Sequence, residues 1–138
     1  IENGIPVLGH IGLTPQSINE MGGYKVQGRT SQQAEELIRD AQALVEAGIF
    51  ALVLECVPED LGAEITKAIS VPTIGIGAGR YCDGQVLVVH DMLGLHSSVS
   101  PKFVKRYAEL GEAMRKAFCA YRDDVENGRY PSDEHIYS

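Results

Sequence analysis

Glu55 stands near the end of an otherwise apolar run, Phe50 to Val57 (FALVLECV). An ionised glutamate is almost never fully buried without a partner. A carboxylate in low-dielectric surroundings holds a proton more tightly than one in water, which makes it a stronger base near neutral pH. Alternation along a strand sets Ala51, Val53, Glu55 and Val57 on one face. The reading is a working acid/base of an α/β enzyme. The competing reading is a structural salt bridge to a buried lysine or arginine.

His10 lies within a second apolar run, Ile5 to Ile11 (IPVLGHI). A neutral imidazole there could donate to a carboxylate or to a carbonyl oxygen, or it could be a satisfied core histidine. Gly75-Ile76-Gly77-Ala78-Gly79 would let a ligand approach the backbone closely. It leads into Tyr81-Cys82-Asp83-Gly84, a turn rather than a helix, which argues against dinucleotide binding and leaves tight packing as the simpler reading. His90-Asp91 ends the fourth apolar strand pattern, Gln85 to His90. Neighbours in a strand face opposite ways, so they make a poor metal pair. Cys56 reads as a small core hydrophobe turned away from Glu55. The stripe from Tyr107 to Tyr121 reads as core or subunit contact.

Strands and helices must alternate to position these groups. After Ile5 to Ile11, a long polar loop is expected from Leu13 to Arg29. Thr30 with Gln33 fits a capping box. Ala34, Leu37, Ile38, Ala41, Leu44 and Val45 make the stripe of an amphipathic helix, and Gly48 suits its C′ position. Phe50 to Val57 reads as a parallel strand covered on both faces. Pro58 opens a helix with Leu61, Ile65 and Ile69 inside; Val71 to Gly77 and Gln85 to His90 follow as strands. Ser100-Pro101 predicts the start of a last helix over 101–127, with a polar tail at 128–138 that packs on a neighbour or frays. This pattern predicts an α/β fold with a parallel sheet, either doubly wound or part of a (β/α)8 TIM barrel. Four strands suit half a barrel.

The 138 residues suit one domain, 44% hydrophobic with a net charge of −7, so no basic surface for nucleic acid or an anionic membrane is expected. The apolar runs are too short for a transmembrane helix. Three widely spaced cysteines, Cys56, Cys82 and Cys119, argue against a disulfide framework and a zinc site, and suit a reducing cytoplasm. The chain opens on Ile1 without Met, which reads as a start in mid-domain.

Longer motifs carry a resemblance. Gly9-His10-Ile11-Gly12-Leu13-Thr14-Pro15-Gln16-Ser17 and Gly22-Gly23-Tyr24-Lys25-Val26-Gln27-Gly28-Arg29 resemble the signature of the ketopantoate (3-methyl-2-oxobutanoate) hydroxymethyltransferases. Leu54-Glu55-Cys56-Val57-Pro58, Ile74 to Gly79, Asp83 to Val88 with His90-Asp91, Pro101-Lys102-Phe103, Tyr130-Pro131 and Glu134-His135 extend it in order over nearly the whole chain.

The resemblance implies a (β/α)8 TIM barrel of the phosphoenolpyruvate-binding type, of which residues 1–138 cover about the last four β/α units, the C-terminal half. It implies transfer of a hydroxymethyl group from 5,10-methylenetetrahydrofolate to 3-methyl-2-oxobutanoate, giving 2-dehydropantoate for pantothenate and coenzyme A. Glu55 takes the place of the catalytic base and His10 that of a substrate-pocket residue. Mg2+ would polarise the keto oxygen. The family's metal-binding acids lie on the first half of the barrel and have no match here, so no metal ligand is expected in this chain. The complementary N-terminal half would be a partner, the assembly a cytoplasmic homo-oligomer, and the isolated chain inactive. The alternatives are a carbon–carbon lyase of the isocitrate lyase and phosphonopyruvate superfamily, whose Cys-bearing acidic motif does not occur here, and a non-catalytic half-barrel.

Overall fold

Thr30 opens a helix as its spacing to Gln33 predicts. In the computed structural model, which describes residues 1, 3–14, 25–95 and 101–137, the Thr30 hydroxyl accepts from the Gln33 amide at 3.2 Å. The Gln33 side chain accepts in return from the Thr30 amide at 3.3 Å. Such a cap contributes about 1 kcal/mol. The helix, α1, runs Ser31–Glu46, and Gly48 leaves it at φ +93°. Residues 15–24, most of the expected long loop, lie outside the described residues.

The chain divides into two compact units, Ile1–Val86 and Leu87–Ser138. The first holds β1 (Leu8–Gly12), α1, β2 (Ala51–Glu55), α2 (Glu59–Ala68), β3 (Thr73–Ile76) and β4 (Gly84–Gln85). All three strand pairings are parallel, in the order β1-β2-β3-β4. Each strand therefore lies beside its predecessor in sequence, with no reversal of order. A doubly wound sheet reverses its order at a switch point, whereas a barrel adds strands one after another. The sheet is that of an α/β fold and is consistent with part of a TIM barrel.

One face of the sheet is dry. Ile11, Leu52 and Leu54 pack with Ala41 of α1 and with Leu61 and Ile65 of α2 in a single buried cluster. Each buried aliphatic side chain contributes roughly 1.5–3 kcal/mol. These contacts hold the register, because a slip by one residue would turn the whole set outward. The other face carries His10, Val53, Glu55, Ile74 and Ile76, all half-buried, and Leu8, which is exposed. Among the described residues the helices cover one face, because the apolar stripes of α1 and α2 converge on the same cluster.

The predicted strand Gln85 to His90 is shorter than expected. Its last ladder bond runs from the Val86 amide to the Gly75 carbonyl at 3.0 Å. β3 ends at Ile76, and Gly77 turns away at φ +68°, so there is no edge for later residues to pair with. The Val-rich segment that follows enters a single helical turn, α3 (Val89–Met92), and His90 and Asp91 lie on that turn rather than on a strand.

In the second unit the long helix α4 spans Leu110–Glu126 instead of starting at Pro101. Ser100 lies outside the described residues. Pro101 begins a turn closed by the Val104 amide on the Pro101 carbonyl at 3.0 Å. The Tyr107, Leu110 and Gly111 amides then bond to the carbonyls of Met92, Leu93 and Gly94 at 2.8, 2.9 and 3.1 Å. These backbone donors are committed outside a helix, although Phe103 and Tyr107 keep a helical spacing. The tail folds back on α4. Arg129 pairs with Asp123 and Asp124, and Tyr130 packs edge-on against Tyr121 with centroids 5.5 Å apart.

A polar clasp that sequence patterning did not reveal joins β3 to the turn before β4. Asp83 accepts from the Thr73 amide at 2.8 Å and from the Thr73 hydroxyl at 3.1 Å. Thr73 is fully buried and also meets the Thr66 hydroxyl at 2.9 Å. The Thr73 amide, and then its hydroxyl, hold the Asp83 carboxyl below the ordinary aspartate range. A carboxylate that binds protons less well in the folded state stabilises the fold above its unfolded pKa, and that contribution is lost as pH falls through the lowered folded value. The urea midpoint is therefore expected to fall on acidification through and below the usual aspartate range. Asp83→Asn should flatten part of that dependence; an unchanged acid slope in the variant would remove the clasp from the account. In the core, Leu54→Ala is expected to cost roughly 2–5 kcal/mol in urea unfolding, whereas Phe50→Ala, at an exposed position, should cost far less.

Candidate active site

Glu55 is the last residue of β2, and His10 is in the middle of β1. The register pairs His10 with Val53 and Gly12 with Glu55. His10 and Glu55 thus lie on the same face, one pleat apart on neighbouring strands, within reach of long side chains. His10 Nε2 is 3.0 Å from Glu55 Oε2. The side chain of Glu55 is 14% exposed and that of His10 32%. The partner of the carboxylate is a histidine, not the lysine or arginine of a structural salt bridge. One carboxylate oxygen, Oε2, is engaged by the imidazole.

The surroundings of this pair are apolar. Ile76 is directly opposite Glu55 on β3, with Val53 and Ile74 one pleat back on the same face. The pair is at the carboxyl ends of parallel strands, where α/β barrels and open sheets place their ligands. A cleft of about 290 Å3 borders the pair on the His10 side, lined also by Gly12, Thr14, Gln27, Gln33, Glu36 and Asp40. It includes His10 but not Glu55, and its acidic lining comes from Glu36 and Asp40 of α1.

The end of β2 is shaped by close backbone packing. Gly12 sits at φ +93°, and a Cβ there would come 2.2 Å from the Glu55 carbonyl oxygen. That carbonyl accepts from the Leu13 amide at 2.8 Å. Cys56 is left-handed at φ +50°, and no other non-glycine residue among those described has a positive φ. Strand alternation stops there. Val57, expected beside Glu55, is 3% exposed within the helix-side core. Cys56 itself is half-buried instead of a core residue turned away from the site. Burial first, and the charge of Glu55 second, push its thiol pKa up.

The Gly75-to-Gly79 segment serves packing. Ala78 is fully buried, and its carbonyl would stand 2.4 Å from a Cβ at Gly62 of α2. Glu59 fills the space beside Gly79 and accepts from the Arg80 backbone and side chain at 3.3 and 3.2 Å. His90 and Asp91 belong to the second unit and are described with it. Among the described residues no three His, Cys, Asp or Glu side chains gather as a metal site. No described helix is long and apolar enough to cross a membrane.

The sheet is parallel throughout and carries a carboxylate in contact with a histidine at its strand ends. Its strand order and alternating helices are consistent with a partial TIM barrel. A model of the ketopantoate hydroxymethyltransferase family matches residues 1–133, and the chain belongs to that family. It is similar to the 3-methyl-2-oxobutanoate hydroxymethyltransferase of Moorella thermoacetica, 59% identical over 137 residues, covering 99% of this chain and 51% of that protein. The enzymes of the same name from Paracoccus denitrificans and Thermotoga neapolitana are 60% and 54% identical. These matches cover 99% and 100% of this chain, and 50% and 51% of those proteins. The chain spans about half the length of the curated relatives it matches, within their C-terminal half.

Proposed function

We propose that this chain contributes the general base and part of the keto-acid pocket of a 3-methyl-2-oxobutanoate hydroxymethyltransferase. The observation that supports this most is the His10–Glu55 contact at 3.0 Å, placed on the open face at the strand ends of a chain of this family. Three relatives of that name match over the same residues.

In this reading Glu55 Oε1 takes the proton from the carbon beside the keto group of 3-methyl-2-oxobutanoate. The C–H electron pair becomes that of an enolate. The enolate carbon then bonds to the one-carbon unit of 5,10-methylenetetrahydrofolate, whose bonds to the folate nitrogens break. Water supplies the hydroxyl oxygen of the product, and the proton taken by Glu55 and one proton of that water pass to the two folate nitrogens. Acid/base help of this kind contributes roughly 100- to 10,000-fold. His10 holds the carboxylate in one orientation by donating from Nε2 and borders the substrate pocket. Assigning the donor role to Nε2 assigns the tautomer as well. Val53, Ile74 and Ile76 give the carboxylate apolar neighbours on that face.

Among the described residues no three His, Cys, Asp or Glu side chains gather around one point. The Mg2+ ligands are placed in the complementary half of the barrel, and no step here runs through the metal. That half is also the proposed partner in a cytoplasmic homo-oligomer, to which the apolar stripe of α4 is suited: Met114, Phe118 and Tyr121 are all exposed.

In a barrel completed with the half that the relatives carry ahead of the matched segment, Glu55→Gln is expected to lower turnover by 100-fold or more. The proton step can be read alone, as exchange of the substrate's C3 hydrogen into deuterated water without folate. Wild-type exchange in the Gln variant would remove Glu55 as the base. His10→Ala should slow the same exchange by a smaller factor, since it loosens the base without deleting it.

A further inference from the structure

Cys56 follows the proposed base directly and carries an unfavourable backbone. An L-residue at φ +50° crowds its Cβ against the following carbonyl, and only glycine, and to a lesser extent asparagine, adopts that conformation readily. Such a conformation persists where the surroundings over-determine it. Here they do. The Cys56 amide donates to the Ile76 carbonyl at 2.9 Å, and its carbonyl accepts from the Gln27 amide at 2.8 Å. On the preceding residue, the Glu55 carbonyl accepts from the Leu13 amide at 2.8 Å. Three separate segments therefore clamp two consecutive residues.

The left-handed turn has two consequences. It ends β2 at Glu55, so the carboxylate occupies the last position of the strand, level with Gly12. It also resets the side-chain alternation, which sends Val57 into the helix-side core and anchors the chain beyond the base. The thiol shows no matching role. Burial and the Glu55 charge favour its neutral form, the opposite of a nucleophilic cysteine.

We infer that Cys56 is a positioning residue for Glu55, and that it acts through its left-handed backbone rather than through its sulfur. The inference rests on Glu55 being the base. It predicts an order of substitutions opposite to that of side-chain packing.

The test uses the completed barrel with Cys56 changed to Gly, Asn, Ala, Ser and Val. Gly and Asn should keep kcat within about threefold of wild type, and Gly should exceed Ala. Val, which resists positive φ, should lose roughly 100-fold in kcat with KM for the keto acid within about twofold. If Val does not fold, the Gly-over-Ala order carries the test. A readout without turnover is the His10 side-chain nitrogen spectrum, in which the bond to Glu55 should survive in Cys56→Gly and weaken in Cys56→Ala and Cys56→Val. Wild-type activity in Cys56→Ser with failure in Cys56→Gly would overturn the inference, and so would equal activity in all five. If Glu55→Gln keeps proton exchange, the catalytic reading fails instead, and the His10 spectra still decide whether Cys56 holds the carboxylate.

Discussion

The two peptides flanking Cys56 are gripped from three sides: the Leu13 amide donates to the Glu55 carbonyl, the Cys56 amide donates to the Ile76 carbonyl, and the Gln27 amide donates to the Cys56 carbonyl. Much of the first unit is arranged around that grip. Gly12 has no side chain because the Glu55 carbonyl occupies the space one would need. β1 and β3 must flank β2 in parallel register for their ends to reach it. Once they do, the pleat carries His10 to the carboxylate, which meets an imidazole rather than a lysine or arginine.

The two faces of the sheet divide the work. The helix side is dry and close-packed, and its cost of rearrangement keeps the register from slipping. The open side is free to carry polar groups because the helix side supplies the burial. Cys56 marks the point where the chain leaves one regime for the other: Glu55 before it faces the open side, Val57 after it the core. The glycine-rich segment after β3 belongs to the same economy of space, since Gly62, Ala78 and Gly79 let α2 lie against that segment at backbone distance.

Several features were legible in the sequence for physical reasons. Thr30 and Gln33 form a cap through local hydrogen bonds, which need only the right spacing. The stripe of α1 follows helical periodicity whatever the helix packs on. Glu55 stood out because an ionisable group in an apolar strand demands an explanation. Other features were not legible. The Asp83–Thr73 clasp joins residues that looked like a turn and a strand start. The beginning of α4 was misplaced because Pro101, Phe103 and Tyr107 satisfy a helical pattern, while their neighbours' amides are used by α3 and the turn after it.

Sequence by itself determined the alternation of strands and helices, the caps, the apolar stripes and the solitary carboxylate of β2. These depend on periodicity and on bonds between near neighbours. Tertiary structure decided which face of β2 is dry, that the partner of Glu55 is His10 from another strand, and that Cys56 adopts a left-handed backbone. Each of these is set by segments distant in sequence meeting at the end of β2 or packing on its face, and no local pattern records where such segments meet.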